Sequence, residues 1–358
     1  MSASRAVFVE APSRLHMGLI DPGGEFGRRF GGIGAALEAP SLLIEARPAE
    51  RLSAEGEDQR LLVYARRYLD RHRIEEGAWL RVHRAIPAHS GLGSGTQLAL
   101  ATARALAALF DRPFDAPGLA EATGRAQRSA IGTWAFEHGG FLLEGGRRVP
   151  GDGPAPLLLR RPMPADWRCV LAIPDAPPGL SGPAEEHAFR DLPPPPAELV
   201  GRVAHLILMV VLPALVEDDL TTFGSGLTEV QRLVGEMFRP VQGERFADPL
   251  VAELVDELLA FGAAGAGQSS WGPAVYGLVR GEEAARSLVR RVEDRLEGRG
   301  VVLATSFNNS GARCWTADGD RERGERVGLT NGPASAGTAA DRRRILSIPR
   351  LERGLECS

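Results

Sequence analysis

The chain contains no lysine: all 42 of its basic residues are arginine. That excludes a Schiff base formed on lysine and the lysine of a Walker-type phosphate loop. Any positive charge offered to a phosphate must come from arginine, from backbone amides or from a metal. A GC-rich codon bias would produce the same composition, but the chemical exclusion holds whatever its origin. Cysteine is scarce as well. Cys169, Cys314 and Cys357 lie far apart, which excludes a disulfide framework and a cysteine-based zinc cluster. A reducing cytoplasm is the expectation. Long apolar runs are missing too. The densest, Leu206–Leu215, falls short of the roughly 20 residues a bilayer span needs and carries Pro213, so no membrane partner is expected. The start, Met1-Ser2-Ala3-Ser4-Arg5, runs straight into a strand-like segment without the pattern of a signal peptide. Nor is there an excess of positive charge. A net charge of -4 gives no reason to expect nucleic acid as a partner.

What is present is an ordinary globular composition on 358 residues, enough for one large domain or two moderate ones. Ala6–Ala11, Leu42–Ala46 and Trp79–Arg84 read as strands, and Leu61–Leu69 as a helix. Helices are expected over Thr96–Phe110 and Ala116–Arg128, and a hairpin over Gly139–Gly146. Proline clusters between Gly151 and Pro196 mark a boundary around one strand, Cys169–Ile173. The second half predicts helices over Ala197–Val216, Leu220–Phe238 and Pro249–Phe261. Strand Ala274–Val279, helix Glu282–Gly298 and strand Val301–Thr305 then close a small split sheet with helices on one face. These signals divide the chain into 1–165, 166–317 and a polar, aperiodic tail, 318–358, expected to be disordered.

The strongest local signal is Ile86-Pro87-Ala88-His89-Ser90-Gly91-Leu92-Gly93-Ser94-Gly95-Thr96-Gln97, set between a strand and a helix. Alternate glycines free successive backbone amides to converge on one anion, and the helix adds its unpaired first-turn amides and dipole. Ser90, Ser94 and Thr96 can donate hydroxyls. A tight strand-to-helix turn would also need these glycines.

Pro87-Ala88-His89-Ser90-Gly91-Leu92-Gly93-Ser94-Gly95 resembles the phosphate loop of the GHMP superfamily, which includes galactokinase, homoserine kinase and mevalonate kinase. Further segments resemble one branch of it, the beta-ribofuranosylaminobenzene 5'-phosphate synthases of the methanopterin pathway. They are Arg14–Asp21, Gly31–Gly34, Arg128–Phe141, the selective Gly265-Ala266-Gly267-Gln268-Ser269-Ser270-Trp271-Gly272-Pro273, and Thr305–Gly311. The resemblance covers nearly the whole chain outside the tail. It implies an α+β fold of two domains, an N-terminal α/β domain and a C-terminal ferredoxin-like domain, with the active site in the groove between them.

It also implies condensation of phosphoribosyl pyrophosphate with 4-aminobenzoate or 4-hydroxybenzoate, releasing carbon dioxide and pyrophosphate. Mg²⁺ is expected with the pyrophosphate and no organic cofactor, though no acidic pair has a spacing that would name the metal's ligands. Many kinases of the superfamily use an aspartate between the first domain's helices and the following hairpin. Between Ala116 and Gly151 this chain has none, only Glu121, Glu137 and Glu144. A small-molecule kinase with Glu137 as base is the alternative, and a silent ligand-binding regulator a third reading.

The catalytic candidates are Arg14, His16, Asp21 and Glu137. Arg14 and Arg128 suit the benzoate carboxylate, because a guanidinium fork matches two oxygens. The loop residues His89, Ser90, Gly91, Gly93, Ser94, Gly95 and Thr96 are expected to hold phosphate, and Gln268, Ser269, Ser270 and Trp271 to complete the groove. Each has a plain alternative. Arg14 could pair with a surface acid, His16 could be a packed histidine, Asp21 could initiate the turn Pro22-Gly23-Gly24, and Trp271 could fill interdomain core. The other partners are small molecules, with a homodimer through the helical second half left open.

Overall fold

The structure, a computed structural model, describes residues 5–56, 59–151, 153–177, 183–246 and 248–317. The expected tail lies outside the described residues. The first unit runs β1 (Ala6–Asp21), β2 (Arg28–Ala49), β3 (Ser53–Glu55), α1 (Gln59–His72), β4 (Gly77–Arg84), α2 (Ser94–Leu109), α3 (Ala116–Thr123), α4 (Ile131–His138), β5 (Phe141–Glu144), β6 (Arg147–Arg148) and β7 (Leu157–Arg161). β1 and β2 are much longer than the strands expected there, and they pair antiparallel along most of their length. The remainder of β2 is shared between β4 and β5. Helix α2, rich in alanine and leucine, is buried almost along its full length against these two strands.

Local chemistry explains where the sequence-based elements differ. Helix α3 stops at Thr123 because Gly124 adopts the left-handed conformation (φ 73°) and caps it, so Arg125 and Arg128 fall in the loop beyond. Ile131–His138 is helical rather than loop. The expected hairpin Gly139–Gly146 contributes one strand, β5, which lies between β2 and β7.

The second unit runs β8 (Trp167–Pro174), α5 (Pro183–Asp191), α6 (Ala197–Leu206), a π turn at Ile207–Val211, α7 (Leu212–Val216), α8 (Leu220–Gln242), α9 (Pro249–Ala260), β9 (Gly265–Gln268), β10 (Val275–Arg280), α10 (Glu282–Leu296) and β11 (Gly300–Thr305). Its antiparallel sheet has the order β11-β8-β10-β9, the fourth-first-third-second arrangement of a ferredoxin-like unit. Helices α9 and α10 cover it through Leu254, Leu258, Leu288 and Val292.

Two expectations need correction. The segment 166–317 does not belong wholly to the second unit: β12 (Arg313–Ala317) returns to the first sheet and pairs with β1. It satisfies the outer edge of β1, and Trp315 stacks on Phe8 with ring centroids 5.7 Å apart. The apolar run was also read as too short. Ala197–Val216 forms 20 continuous helical residues, whose most apolar 18-residue stretch has a mean hydropathy of 2.2, long and apolar enough to cross a membrane by length and composition, and the π turn carries it past Pro213. One face of it, Val203, Ile207, Val211, Ala214 and Leu215, is buried, while Leu208 and Met209 are exposed.

Helix α8 joins the two units. It packs on β9 and also on β1. The C-terminal half of β1 is therefore covered on both faces: Leu15 and Met17 are buried on one, and Arg14, His16 and Gly18 lie on the other.

Candidate active site

The glycine loop between β4 and α2 is held by the second unit as much as by the first. The amide of Arg14 donates to Leu92 O (3.1 Å), and its guanidinium donates to Gly91 O. Gly91 O also accepts from the Ser269 hydroxyl (2.8 Å), and Ser90 O accepts from the Ala274 amide (3.1 Å). Contact between the segments is backbone on backbone. A Cβ on Gly91 would lie 2.1 Å from Ser269 O, and one on Gly272 2.1 Å from the Gly91 nitrogen. This explains why both segments need glycine.

Gly93 (φ 80°) precedes α2 without any side-chain cap, and its carbonyl takes the Thr96 and Gln97 amides at 3.0 Å each. The amides of Ser94 and Gly95 in the first turn have no intrahelical partner, which is the requirement for an anion cradle. Arg125 lies directly against this turn. Its Nε donates to Gly95 O (3.3 Å), and a Cβ on Gly95 would come within 2.2 Å of its Nη2.

The loop forms one end of a cavity of about 650 Å³ between the two units. Arg14, Arg60, Arg125, Arg128 and Arg245 lie on its walls, whereas among the described residues Glu185 and Glu186 are the only acids there and no aspartate lines it. Arg128 is ion-paired with Glu185 and lies over the Phe189 ring, 5.3 Å from its centroid. Part of the lining is aromatic. Trp271 meets Phe189 at 4.7 Å and Phe238 at 5.0 Å, and its Nε1 donates to Gln242 Oε1 (3.1 Å). The cavity thus joins the loop and its arginines to an aromatic cluster.

His16 lines the same cavity. Its amide donates to the Ser269 hydroxyl (3.0 Å), its carbonyl accepts from the Ser270 amide (3.1 Å), and its Nε2 is 3.1 Å from Ser129 Oγ. Burial, helped by the Arg14 charge, pushes its pKa down to about 3, so the ring is neutral at physiological pH. Behind Ser129, burial pushes the Glu144 carboxyl up to about 7, although hydrogen bonds from Ser129 and the Ala130 amide oppose the shift. The unfolded chain binds a proton on His16 below about 6.5 that the native state refuses until about 3, so this residue's contribution is lost as pH falls through that window. Glu144 acts in the opposite sense between 4.5 and about 7, because the native state holds the proton more tightly. A His16→Gln variant should therefore lose less stability than the wild type between pH 6.5 and 4, as read from denaturant midpoints. Equal losses would show that His16 is not buried uncharged.

Of the residues singled out in sequence, Arg14, His16, His89, Gly91, Gly93, Ser94, Gly95, Thr96, Arg128, Gln268, Ser270 and Trp271 line the cavity. Ser90 and Ser269 lie just behind it. The Ser90 hydroxyl donates to Pro87 O (2.8 Å), and both serines act as struts of the loop. Two catalytic candidates fall outside the cavity wall. Asp21 Oδ1 accepts the Gly23 and Gly24 amides, both at 2.8 Å, and is occupied in shaping that turn. Glu137 is near the end of α4, where its carbonyl abuts Gly311. The structure adds Arg125, Ser129, Glu144, Glu185, Phe189 and Phe238. Ser129 lies inside a motif-like segment; Arg125, Glu185, Phe189 and Phe238 carry no local signal, because only the fold brings them to the cavity, and Glu144 lies buried behind Ser129. Among the described residues, no group of three or more histidine, cysteine, aspartate or glutamate side chains could hold a metal ion.

Comparison with known proteins agrees with this architecture. Family models described as GHMP kinases N terminal domain and GHMP kinases C terminal match residues 60–140 and 211–298. The beta-ribofuranosylphenol 5'-phosphate synthase of Methanothermobacter thermautotrophicus is 36% identical over 328 residues, covering 86% of this chain and 98% of the relative. The synthase of Methanocaldococcus jannaschii is 34% identical over 341 residues, covering 86% and 100%. The chain belongs to the beta-ribofuranosylphenol 5'-phosphate synthase family. Outside that family, L. major mevalonate kinase superposes with a TM-score of 0.66 at 14% identity, covering 87% of this chain and 98% of the kinase. At that identity the likeness speaks for the fold alone, and the synthase family therefore shares its scaffold with kinases.

Proposed function

We propose that the chain condenses phosphoribosyl pyrophosphate with a para-substituted benzoate to give a C-riboside 5'-phosphate, releasing carbon dioxide and pyrophosphate. The observation that carries this reading is the single cavity that joins an anion cradle to a wall of Phe189, Phe238 and Trp271. Phosphoryl transfer by a kinase would not call for an aromatic wall, and among the described residues the cavity lacks the aspartate that many kinases of the superfamily use. The relatives are named for a ribofuranosylphenol product, which favours 4-hydroxybenzoate over 4-aminobenzoate as the aromatic partner.

In this reading the Ser94 and Gly95 amides, with Arg125, bind the pyrophosphate and stabilise the negative charge it gains on leaving. The bond from ribose C1 to the leaving oxygen breaks with its electron pair going to pyrophosphate. The ring carbon bearing the carboxylate then bonds to C1, pushed by the para substituent. The carbon–carboxylate bond breaks next, its pair restores the aromatic ring, and carbon dioxide leaves. Arg14, which lines the same cavity beside the loop, suits the carboxylate until that step. The residues present do not fit a protein-held metal. Mg²⁺ would travel with the pyrophosphate, and no step is assigned to it. A cytoplasmic setting with small-molecule partners fits the same reading.

The test is to mix the protein with phosphoribosyl pyrophosphate, Mg²⁺ and carboxyl-labelled 4-hydroxy- or 4-aminobenzoate, with a parallel ATP arm. Release of labelled carbon dioxide without ATP is expected; ATP-dependent phosphorylation of a metabolite without any release would replace this reading with a kinase. Ser94→Ala combined with Thr96→Ala should raise KM for phosphoribosyl pyrophosphate about tenfold, the loss of one or two hydroxyl hydrogen bonds. The benzoate KM should stay within about twofold, and equal increases in both would make the loop structural rather than phosphate-binding.

A further inference from the structure

Glu144 is fully buried at the end of β5. One carboxylate oxygen accepts the Ala130 amide at 2.6 Å, while the other is buried with no hydrogen-bond partner. No ion pair in direct contact compensates it. A buried carboxylate in that condition is costly, and the loop geometry needs only the one oxygen that caps Ala130. Ser129 lies between this carboxylate and the cavity: it precedes the Ala130 amide that Glu144 caps, it holds the Glu144 pKa down, and its oxygen accepts from the Ile131 amide (3.2 Å) and lies 3.1 Å from His16 Nε2. Ser129 and His16 both line the cavity, so a path of polar side chains leads from the substrate space toward a carboxyl group in the dry interior.

We propose that Glu144, acting through Ser129 and His16, stores the proton that the para substituent of the aromatic substrate gives up when its ring attacks the ribose. This rests on the activity proposed above. As the new carbon–carbon bond forms, the para O–H (or N–H) bond breaks, and its electron pair becomes the second bond from that atom to the ring. When the carbon–carboxylate bond breaks, its pair rearomatises the ring, and the oxygen takes the proton back from the chain. One proton leaves and returns, and none is consumed. His16 cannot be the store, because burial and Arg14 hold its protonated form down to about 3. It can accept at one nitrogen while giving at the other. Glu144, raised to about 7, can both take and release a proton near neutrality. The titratable and charged groups facing the chain are Arg14 and His16 from β1; Arg125 and Glu185 act on it through Arg14.

Glu144→Gln is the informative variant, since an amide oxygen can still accept from Ala130 but the group carries no exchangeable store. With 4-hydroxybenzoate, kcat should fall about a hundredfold, and KM for phosphoribosyl pyrophosphate should stay within about twofold. The wild-type rise of kcat with pH near 7 should vanish in the variant. Ser129→Ala, which breaks the chain and leaves Glu144 in place, should reproduce the loss in kcat. A Glu144→Gln enzyme with kcat within about threefold of wild type, or with the pH limb intact, overturns the relay while leaving the activity standing. So does a variant whose substrate affinities and melting temperature fall together with kcat, because that is the behaviour of a structural carboxylate. Wild-type protein that releases no carbon dioxide from either benzoate removes the activity, and the relay with it.

Discussion

Gly272→Ala is expected to lower kcat/KM about a hundredfold. A Cβ there would sit 2.1 Å from the Gly91 nitrogen and from both the carbonyl carbon and oxygen of Ser90. These are backbone atoms of the phosphate loop, with no side chain able to swing aside, so the loop or the Gly272 segment must move by about 1 Å. A displacement of that size at a site that works by positioning costs about two orders of magnitude. The same wedge separates the two units where Ser269 and Ala274 bond the loop, and overpacking of this kind destabilises by about 1–3 kcal/mol. Gly201→Ala is the matching control. That glycine is in α6 with nothing within 4 Å of its would-be Cβ, so alanine there should be neutral or stabilise by about 0.5–1 kcal/mol without touching kinetics. Steady-state kinetics and chemical denaturation of the two variants check both statements. A Gly272→Ala enzyme with wild-type constants would mean that the two glycine segments do not meet as described.

Arg125→Ala should raise KM for phosphoribosyl pyrophosphate about 30- to 150-fold, corresponding to the roughly 2–3 kcal/mol of charge-assisted hydrogen bonding to an anion. Burial draws its pKa down, yet the group stays charged at neutral pH, beside the uncapped first turn of α2 and over the Tyr64 ring at 5.4 Å. Desolvated in this way, it attracts a phosphate more strongly than a surface arginine could. The benzoate KM should change less than about threefold. Arg125→Lys should recover little, because an ammonium cannot reproduce the planar fork. Equal weakening of both substrates would place Arg125 in the scaffold rather than at the anion.

The sequence carried the phosphate loop and the ferredoxin-like unit, because both depend on short-range patterns: glycines at fixed φ, alternating strands, a helix punctuated by glycine. Gln268–Pro273 was legible as a motif, but the role of Ser269 was not. Its hydroxyl bridges His16 and Gly91, which lie 253 and 178 residues away in sequence. Arg125 is hidden in sequence because the expected helix runs five residues past the real end at Thr123, and only the left-handed Gly124 turns that arginine toward the loop. Asp21 and Glu137 looked catalytic by type and position, whereas the fold uses the first in a turn and leaves the second outside the cavity. Glu144 stands out in sequence only as one of three acids in its segment; its burial comes from β5 pairing with β2 and β7, a purely tertiary result.

The central claim is that a carbon–carbon bond forms between the ribose and the ring carbon that carried the carboxylate. The direct measurement uses phosphoribosyl pyrophosphate labelled with ¹³C at C1 of the ribose and 4-hydroxybenzoate labelled with ¹³C at the carboxyl-bearing ring carbon. The account predicts a product whose two labels show one-bond ¹³C–¹³C coupling, formed together with equimolar carbon dioxide and pyrophosphate. An uncoupled product that keeps its carboxylate, or turnover only when ATP is supplied, would contradict it.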